Sequence, residues 1–224
     1  PFTKSYDGTF DIVLTNPPFA GKITGKEQLS QYELYDLQVA GFLVEDTEEE
    51  YGEEEQKKKK KTTTKRKVLA MRRDILFLER CIKLLKPGGR MAIVLPQGNF
   101  NNIGTKALRE WIMQKGRVLA VVGLGVNTFK PFTGTKTSVM FFQKWGGIAG
   151  EATLNYPIFM ATSERAGKDG SGNYVILTDE FGHPINRSFE RIDPLRDKTF
   201  VDHDLENIAL DFKLFCDSNK IKLY

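Results

Sequence analysis

Apolar residues follow two rhythms along this chain. Residues 10–15 (FDIVLT) form a short β-branched run that stops at Asn16-Pro17-Pro18, which predicts a strand ended by proline. Residues 28–43 carry Leu29, Tyr32, Leu34, Tyr35, Leu37, Val39, Phe42 and Leu43 without clean periodicity and are read as helical. From residue 68 to 86 the period is clear, because Ile75, Leu78, Ile82 and Leu85 step by three and four along one stripe. Lys86-Pro87-Gly88-Gly89 then supplies a stop signal of basic last turn, proline and glycine. Residues 90–95 (RMAIVL) read as a buried strand ending at Pro96, 105–115 as a second helix, 118–123 as a third strand and 137–144 (TSVMFFQK) as a fourth.

This alternation predicts an α/β fold with parallel strands and right-handed crossovers. The loop between the third and fourth strands holds Pro131 and Gly134 and is too short for a crossover helix, so the fourth strand is expected to return antiparallel at the sheet edge. After Gly146 the texture changes to short strands and turns, such as Lys168-Asp169-Gly170-Ser171-Gly172-Asn173. An amphipathic helix near residues 205–216 closes the chain. Two parts are expected, residues 1–145 carrying the sheet and 146–224 as an extension ending in that helix.

Charge alters the picture in one place. Residues 45–67 hold eight acidic residues followed by eight basic ones, with almost nothing apolar. The two blocks cancel, and such a segment reads as a solvated insert rather than a phosphate-binding run. Over the whole chain 33 basic against 29 acidic residues give a net charge of +4, which permits a polyanionic partner without demanding one. No apolar run approaches a membrane span, and no signal-peptide pattern opens the chain, so the protein reads as intracellular, in the cytoplasm. Cys81 and Cys216 are too few for a disulfide framework and lack zinc-ligand spacing. The chain starts at Pro1 and enters a strand almost at once, so it is read as part of a longer protein.

The segment richest in chemistry is Asn16-Pro17-Pro18-Phe19. Ligands of open α/β sheets bind at the carboxyl ends of strands, where this segment falls. The Asn16 side-chain oxygen and the Pro17 carbonyl can each accept one N–H of a planar amine, while Phe19 stacks on its ring. The plainer alternative is a proline-ended strand with a buried phenylalanine. Gly123-Leu124-Gly125 follows a strand but does not open a helix, so it reads as a chance match to a dinucleotide loop. His183 and His203 lack partners at metal-ligand spacing, Ser138 and Ser163 lack a nucleophile-elbow pattern, and Lys136-Thr137-Ser138 lacks the full phosphate-loop spacing. Asn186-Arg187-Ser188 matches a glycosylation acceptor, without meaning inside a cell. Asp11 reads as a structural feature of the first strand. Residues 129–137 (FKPFTGTKT) combine two aromatics with two lysines, as a DNA-facing or base-pocket wall or as ordinary hairpin packing.

Residues 10–19 (FDIVLTNPPF) resemble motif IV of the N6-adenine DNA methyltransferases. Residues 77–96, 99–105, 121–129, 135–144, 156–160, 170–173 and 204–215 resemble later stretches of the same family, in an order most similar to the methylation subunit of type I restriction–modification systems. The resemblance covers nearly the whole chain except the charged insert. It implies a partial Rossmann-like methyltransferase sheet in residues 1–145. It also implies S-adenosylmethionine as methyl donor, double-stranded DNA as substrate, and specificity and restriction subunits as partners. Asn16 and Pro17 would hold the amine of a flipped adenine, Pro18 would fix the turn, Phe19 would stack, and Asn16 would lie near the reacting methyl. The family's glycine-rich cofactor loop lies upstream of this motif, where only fifteen residues precede Asn16, so the isolated chain is expected to be inactive.

Two rivals stay open. Asn-Pro-Pro followed by an aromatic also serves methyl transfer to a protein glutamine or an RNA base, although those enzymes more often carry Tyr in place of Phe19 and end soon after the sheet. A non-catalytic module that docks DNA or partner subunits is the other.

Overall fold

The computed structural model describes residues 6–42, 70–186, 190 and 201–222. The charged insert at 45–67, the start of the helix expected from 68, and Arg187 and Ser188 of the glycosylation match lie outside these residues.

A five-stranded sheet organises the molecule. Strand β1 (Phe10–Thr15) pairs in parallel with β4 (Leu85–Pro96), setting Thr15 beside Ile93. β4 pairs antiparallel with β6 (Thr137–Lys144), which pairs antiparallel on its other side with β5 (Gly116–Gly123). Beyond β5 lies β7 (Phe159–Thr162), parallel to it, so the order is β1-β4-β6-β5-β7. The expected antiparallel return of residues 137–144 is therefore present, but the strand is interior rather than at the edge. The helical crossover from β4 to β5 leaves a gap one strand wide, and β6 fills it with Met140 and Phe142 almost fully buried.

Helix α3 (Arg73–Leu84) covers one face through Ile75, Leu78 and Ile82, the stripe expected from their spacing. It ends before Lys86-Pro87-Gly88-Gly89, since Leu85 is already extended and begins β4. The last carbonyls of α3 still find donors. Gly8 and Thr9 amides reach Lys83 and Leu84, and the Lys144 ammonium reaches Ile82 and Leu85 at 3.0 and 2.7 Å. Helix α5 (Lys106–Lys115) lies on the same core through Leu108, Trp111 and Ile112. On the opposite face, α6 (Leu205–Ser218) sets Phe212 against Phe141 and Phe159, with ring centroids 5.9 and 5.4 Å apart.

The region expected as one helix over 28–43 is instead two short helices, α1 (Lys26–Leu29) and α2 (Glu33–Val39). Glu79, fully buried on α3, accepts the backbone N–H groups of Glu33 and Leu34, each at 2.9 Å, and the Lys83 ammonium at 2.6 Å. A carboxylate at that point caps the start of α2 and fixes the break. Residues 70–72, expected to be helical, form strand β3 (Ala70–Arg72), paired antiparallel with β2 (Lys22–Thr24).

Among the described residues β1 borders β4 alone. Ile12 and Leu14 are 63% and 76% exposed, while Val13 packs into the core. Among the described residues no helix is long and apolar enough to cross a membrane.

Candidate functional site

β1 leaves the sheet at Asn16. Two prolines without N–H cannot continue its ladder, and the chain turns away at the carboxyl edge. Asn16 and Pro18 are exposed, Pro17 is buried and Phe19 is half-buried. The Asn16 side chain makes no hydrogen bond to any other described residue, so its amide is free to serve a ligand. The turn is tied down just beyond, where the Arg73 amide donates to the Gly21 carbonyl at 3.1 Å. Gly21 has φ +95°, and a Cβ there would stand 3.3 Å from the Arg73 guanidinium. The first turn of α3 thereby anchors the motif. Asp11 sits at the other end of β1, in an exposed pair with Lys86 at 3.0 Å, away from Asn16.

The loop between β5 and β6 reaches the same edge. Phe129 meets Phe19 with centroids 5.3 Å apart and planes at 75°, making an aromatic corner next to Asn16. Of the two readings of residues 129–137, Phe129 joins the motif while Phe132 projects into solvent, 91% exposed. The loop is braced by the turn at residues 168–174. Lys168 donates its ammonium to the Lys130 carbonyl at 3.0 Å, and Asn127 donates its amide to the Lys168 carbonyl at 3.3 Å. Gly172, at φ +93°, lies so close that a Cβ would stand 2.6 Å from the Pro131 nitrogen. Asp169 shapes this turn by accepting the Ser171 and Asn173 amides, each at 2.9 Å. The Asn173 side chain and these backbone bonds hold its carboxyl below the ordinary carboxylate range.

A third segment joins where β4 ends. The Gln97 amide donates to the Lys136 carbonyl at 2.9 Å, linking it to the start of β6. Asn99, in the short helix α4 (Gly98–Asn101), donates to the Asp74 carboxylate at 2.8 Å, and Arg72 pairs with the same carboxylate. Asp74 and Asn99 are both 1% exposed, and the Asn99 Oδ1 has no partner. Sequence reasoning missed this buried cluster, which stiffens the junction of β3, α3 and α4 beneath the carboxyl edge.

Other expected residues lie elsewhere. A Cβ on Gly125 would stand 2.8 Å from the Ala166 Cβ, so that glycine serves close packing against the extension, and turns rather than a helix follow it. Ser163 donates to Asp204 at 2.6 Å, joining β7 to the start of α6. His183 lies 3.3 Å from Asp179 in an exposed turn, and Thr137 and Ser138 are buried at the start of β6. Burial pushes the Cys81 thiol up to about 11, keeping it protonated. Among the described residues no cluster could hold a metal ion. Nor does a glycine-rich turn among them cradle a nucleoside beside Asn16. Two acceptors and an aromatic corner stand together here, which suits a planar amine.

The sheet is mixed, with Asn-Pro-Pro-Phe at its carboxyl edge. The family model of the N-6 DNA methylases matches residues 2–204, and the chain belongs to that family. It is 28% identical over 143 residues to the type I restriction enzyme EcoEI methylase subunit of Escherichia coli, covering 63% of this chain and 22% of that protein. Among solved structures, the type I EcoKI M protein is 25% identical, with a TM-score of 0.37 over 62% of this chain and 22% of its own. The type I methyltransferase subunit from Streptococcus thermophilus is 21% identical, with a TM-score of 0.46 over 78% and 30%. The chain thus spans under a third of the length of these relatives.

Proposed function

We propose that this chain carries the target-base side of an adenine-N6 DNA methyltransferase, as the methylation subunit of a type I restriction–modification complex in the cytoplasm. Residues 1–145 are then the later part of the methyltransferase domain and 146–224 its extension. The supporting observation is the free amide of Asn16 at the carboxyl edge of the sheet, beside the Phe19–Phe129 corner.

The amine of adenine is a poor nucleophile because its lone pair is delocalised into the ring. The Asn16 Oδ1 and the Pro17 carbonyl accept its two hydrogens and favour a pyramidal nitrogen with a localised lone pair. Phe19 and Phe129 hold the extruded base in position, and Pro18 fixes the direction of the turn. S-adenosylmethionine, when bound, supplies the electrophilic methyl. In this reading Asn16 lies near the methyl as well as the amine, and the extra proton leaves to solvent. Double-stranded DNA is the substrate, with specificity and restriction subunits as partners. In this reading the chain by itself is inactive.

The test uses the full gene product with candidate specificity subunits, labelled S-adenosylmethionine and duplex DNA. N6-methyladenine from the wild type, lost in Asn16→Ala, supports the reading. Label on protein glutamine or RNA instead of DNA overturns the substrate, and label nowhere overturns the activity. Tight S-adenosylmethionine binding by the 224 residues, measured by calorimetry, overturns the inactivity of the isolated chain.

A further inference from the structure

Phe132 is a large apolar ring left almost wholly in water. A lone exposed apolar residue is ordinary on a protein surface, so exposure by itself carries nothing. Three further features set this ring apart. First, it stands at the site: the Phe132 amide donates to the Phe129 carbonyl at 3.0 Å, one turn from the ring that meets Phe19. Secondly, the loop is held rather than loose. The Phe129 carbonyl also accepts the Thr133 amide at 3.1 Å, Thr128 donates to the Gly125 carbonyl at 2.7 Å, Asn127 of the loop donates to the Lys168 carbonyl, and Lys168 and Gly172 brace the loop from the extension. An exposed ring in a held loop loses little conformational freedom on binding.

Thirdly, the loop's own charge has one sign, although the turn that braces it carries Asp169. Lys130 and Lys136 flank the ring, and no acidic residue occurs between Glu110 and Glu151 along the chain. The Lys130 carbonyl is already engaged by Lys168, which adds a third ammonium to the neighbourhood. A polyanion that carries flat apolar rings complements an exposed phenyl between lysines: the phosphates meet the ammonium groups and a base meets the ring.

From this juxtaposition we propose that Phe132 stacks on DNA beside the extruded adenine, filling the gap left in the duplex, with Lys130 and Lys136 on the adjoining phosphates. The inference rests on the DNA-methyltransferase reading above and adds a residue outside the Asn-Pro-Pro-Phe motif. When a base leaves the stack, its neighbours and its former partner lose stacking area, and an apolar ring in the gap recovers part of it. Phe132 touches neither the amine nor the methyl. It acts on the opening of the duplex, not on transfer, and so has a signature of its own.

The full gene product, in its complex, is assayed for methyl transfer on a duplex containing its own methylation site, first mapped on unmethylated genomic DNA. The same duplex is then offered with a mismatch opposite the target adenine, which lowers the cost of extrusion. Phe132→Ala is expected to slow transfer to the paired duplex about tenfold, in the range of a lost base–aromatic stack. The mismatched duplex and Phe132→Trp are each expected to restore most of the rate. Two results overturn the inference while leaving the parent reading intact: a Phe132→Ala enzyme as fast as wild type on paired DNA, or one slowed equally on paired and mismatched DNA. A wild-type complex that puts no methyl on DNA overturns the parent reading and this inference with it.

Discussion

Replacing Gly172 by alanine is the sharpest probe of how the extension supports the site. Gly172 lies at φ +93°, and a Cβ there would stand 2.6 Å from the Pro131 nitrogen, 2.7 Å from its Cδ and 2.8 Å from the Lys130 carbonyl carbon. None of these atoms is the free end of a flexible side chain, so the clash cannot be relieved by a rotamer change. A left-handed conformation costs a non-glycine residue about 1–2 kcal/mol, and overpacking a close contact adds about 1–3 kcal/mol. A total of about 2–5 kcal/mol is a large part of the stability of a domain, typically about 5–15 kcal/mol. If the contact holds, the urea midpoint falls by about 1–2.5 M at a slope of about 2 kcal/mol per M. If the 127–131 loop swings away instead, global stability survives but the Phe129 wall leaves Phe19, and methyl transfer by the full gene product falls. Gly170→Ala is the control, because nothing lies within 4 Å of its added Cβ and its φ lies outside the left-handed region. A Gly172→Ala protein indistinguishable from Gly170→Ala in both urea midpoint and transfer rate would refute the brace.

Other perturbations probe other parts of the molecule. Glu79→Ala strips two backbone amides and Lys83 of their acceptor, and urea denaturation should show a loss of about 2–3 kcal/mol. Asp204 is held below its ordinary carboxylate value: burial opposes this, but the Ser163 hydroxyl and the Glu164 and Arg165 amides outweigh it. Its contribution to stability is therefore complete above the unfolded carboxylate value and lost as pH falls through the lower folded one, and Asp204→Asn should flatten a plot of melting temperature against pH in that acid window. Ile12→Lys, at a side chain 63% exposed on β1, should leave the melting temperature nearly unchanged.

The periodic elements were legible in the sequence because their signals are local. The stripe of Ile75, Leu78 and Ile82 marks α3, and the bounds of β6 at residues 137–144 emerge unchanged. Two adjacent prolines mark where β1 must end, whatever surrounds them. What escaped depends on contacts between distant segments. The place of β6 between β4 and β5 is a choice among neighbours that no local period encodes, and the three-residue pair β2 and β3 is too short to have a period at all. Asn16 is visible as a candidate because of the letters beside it. Its aromatic neighbour Phe129, the buried Asp74–Asn99 contact and the Lys168 brace each join segments far apart in the chain. Residues 129–137 announced aromatics and lysines together, but only the fold separates Phe129, turned inward, from Phe132, turned out.

The interior position of β6 also governs the order of assembly. β4 and β5 never touch through hydrogen bonds; each is bound to β6, which follows both along the chain. While a ribosome is still making residues 124–136, the two earlier strands have helices beside them but no strand to unite them. The β5–β6 hairpin closes over the shorter loop and is the cheaper pairing to form, and docking its free side against β4 then completes the sheet. Until then the apolar flanks of β4 and β5 stand as separate exposed edges, so the interval before residue 144 emerges is when a nascent chain is most open to mispairing.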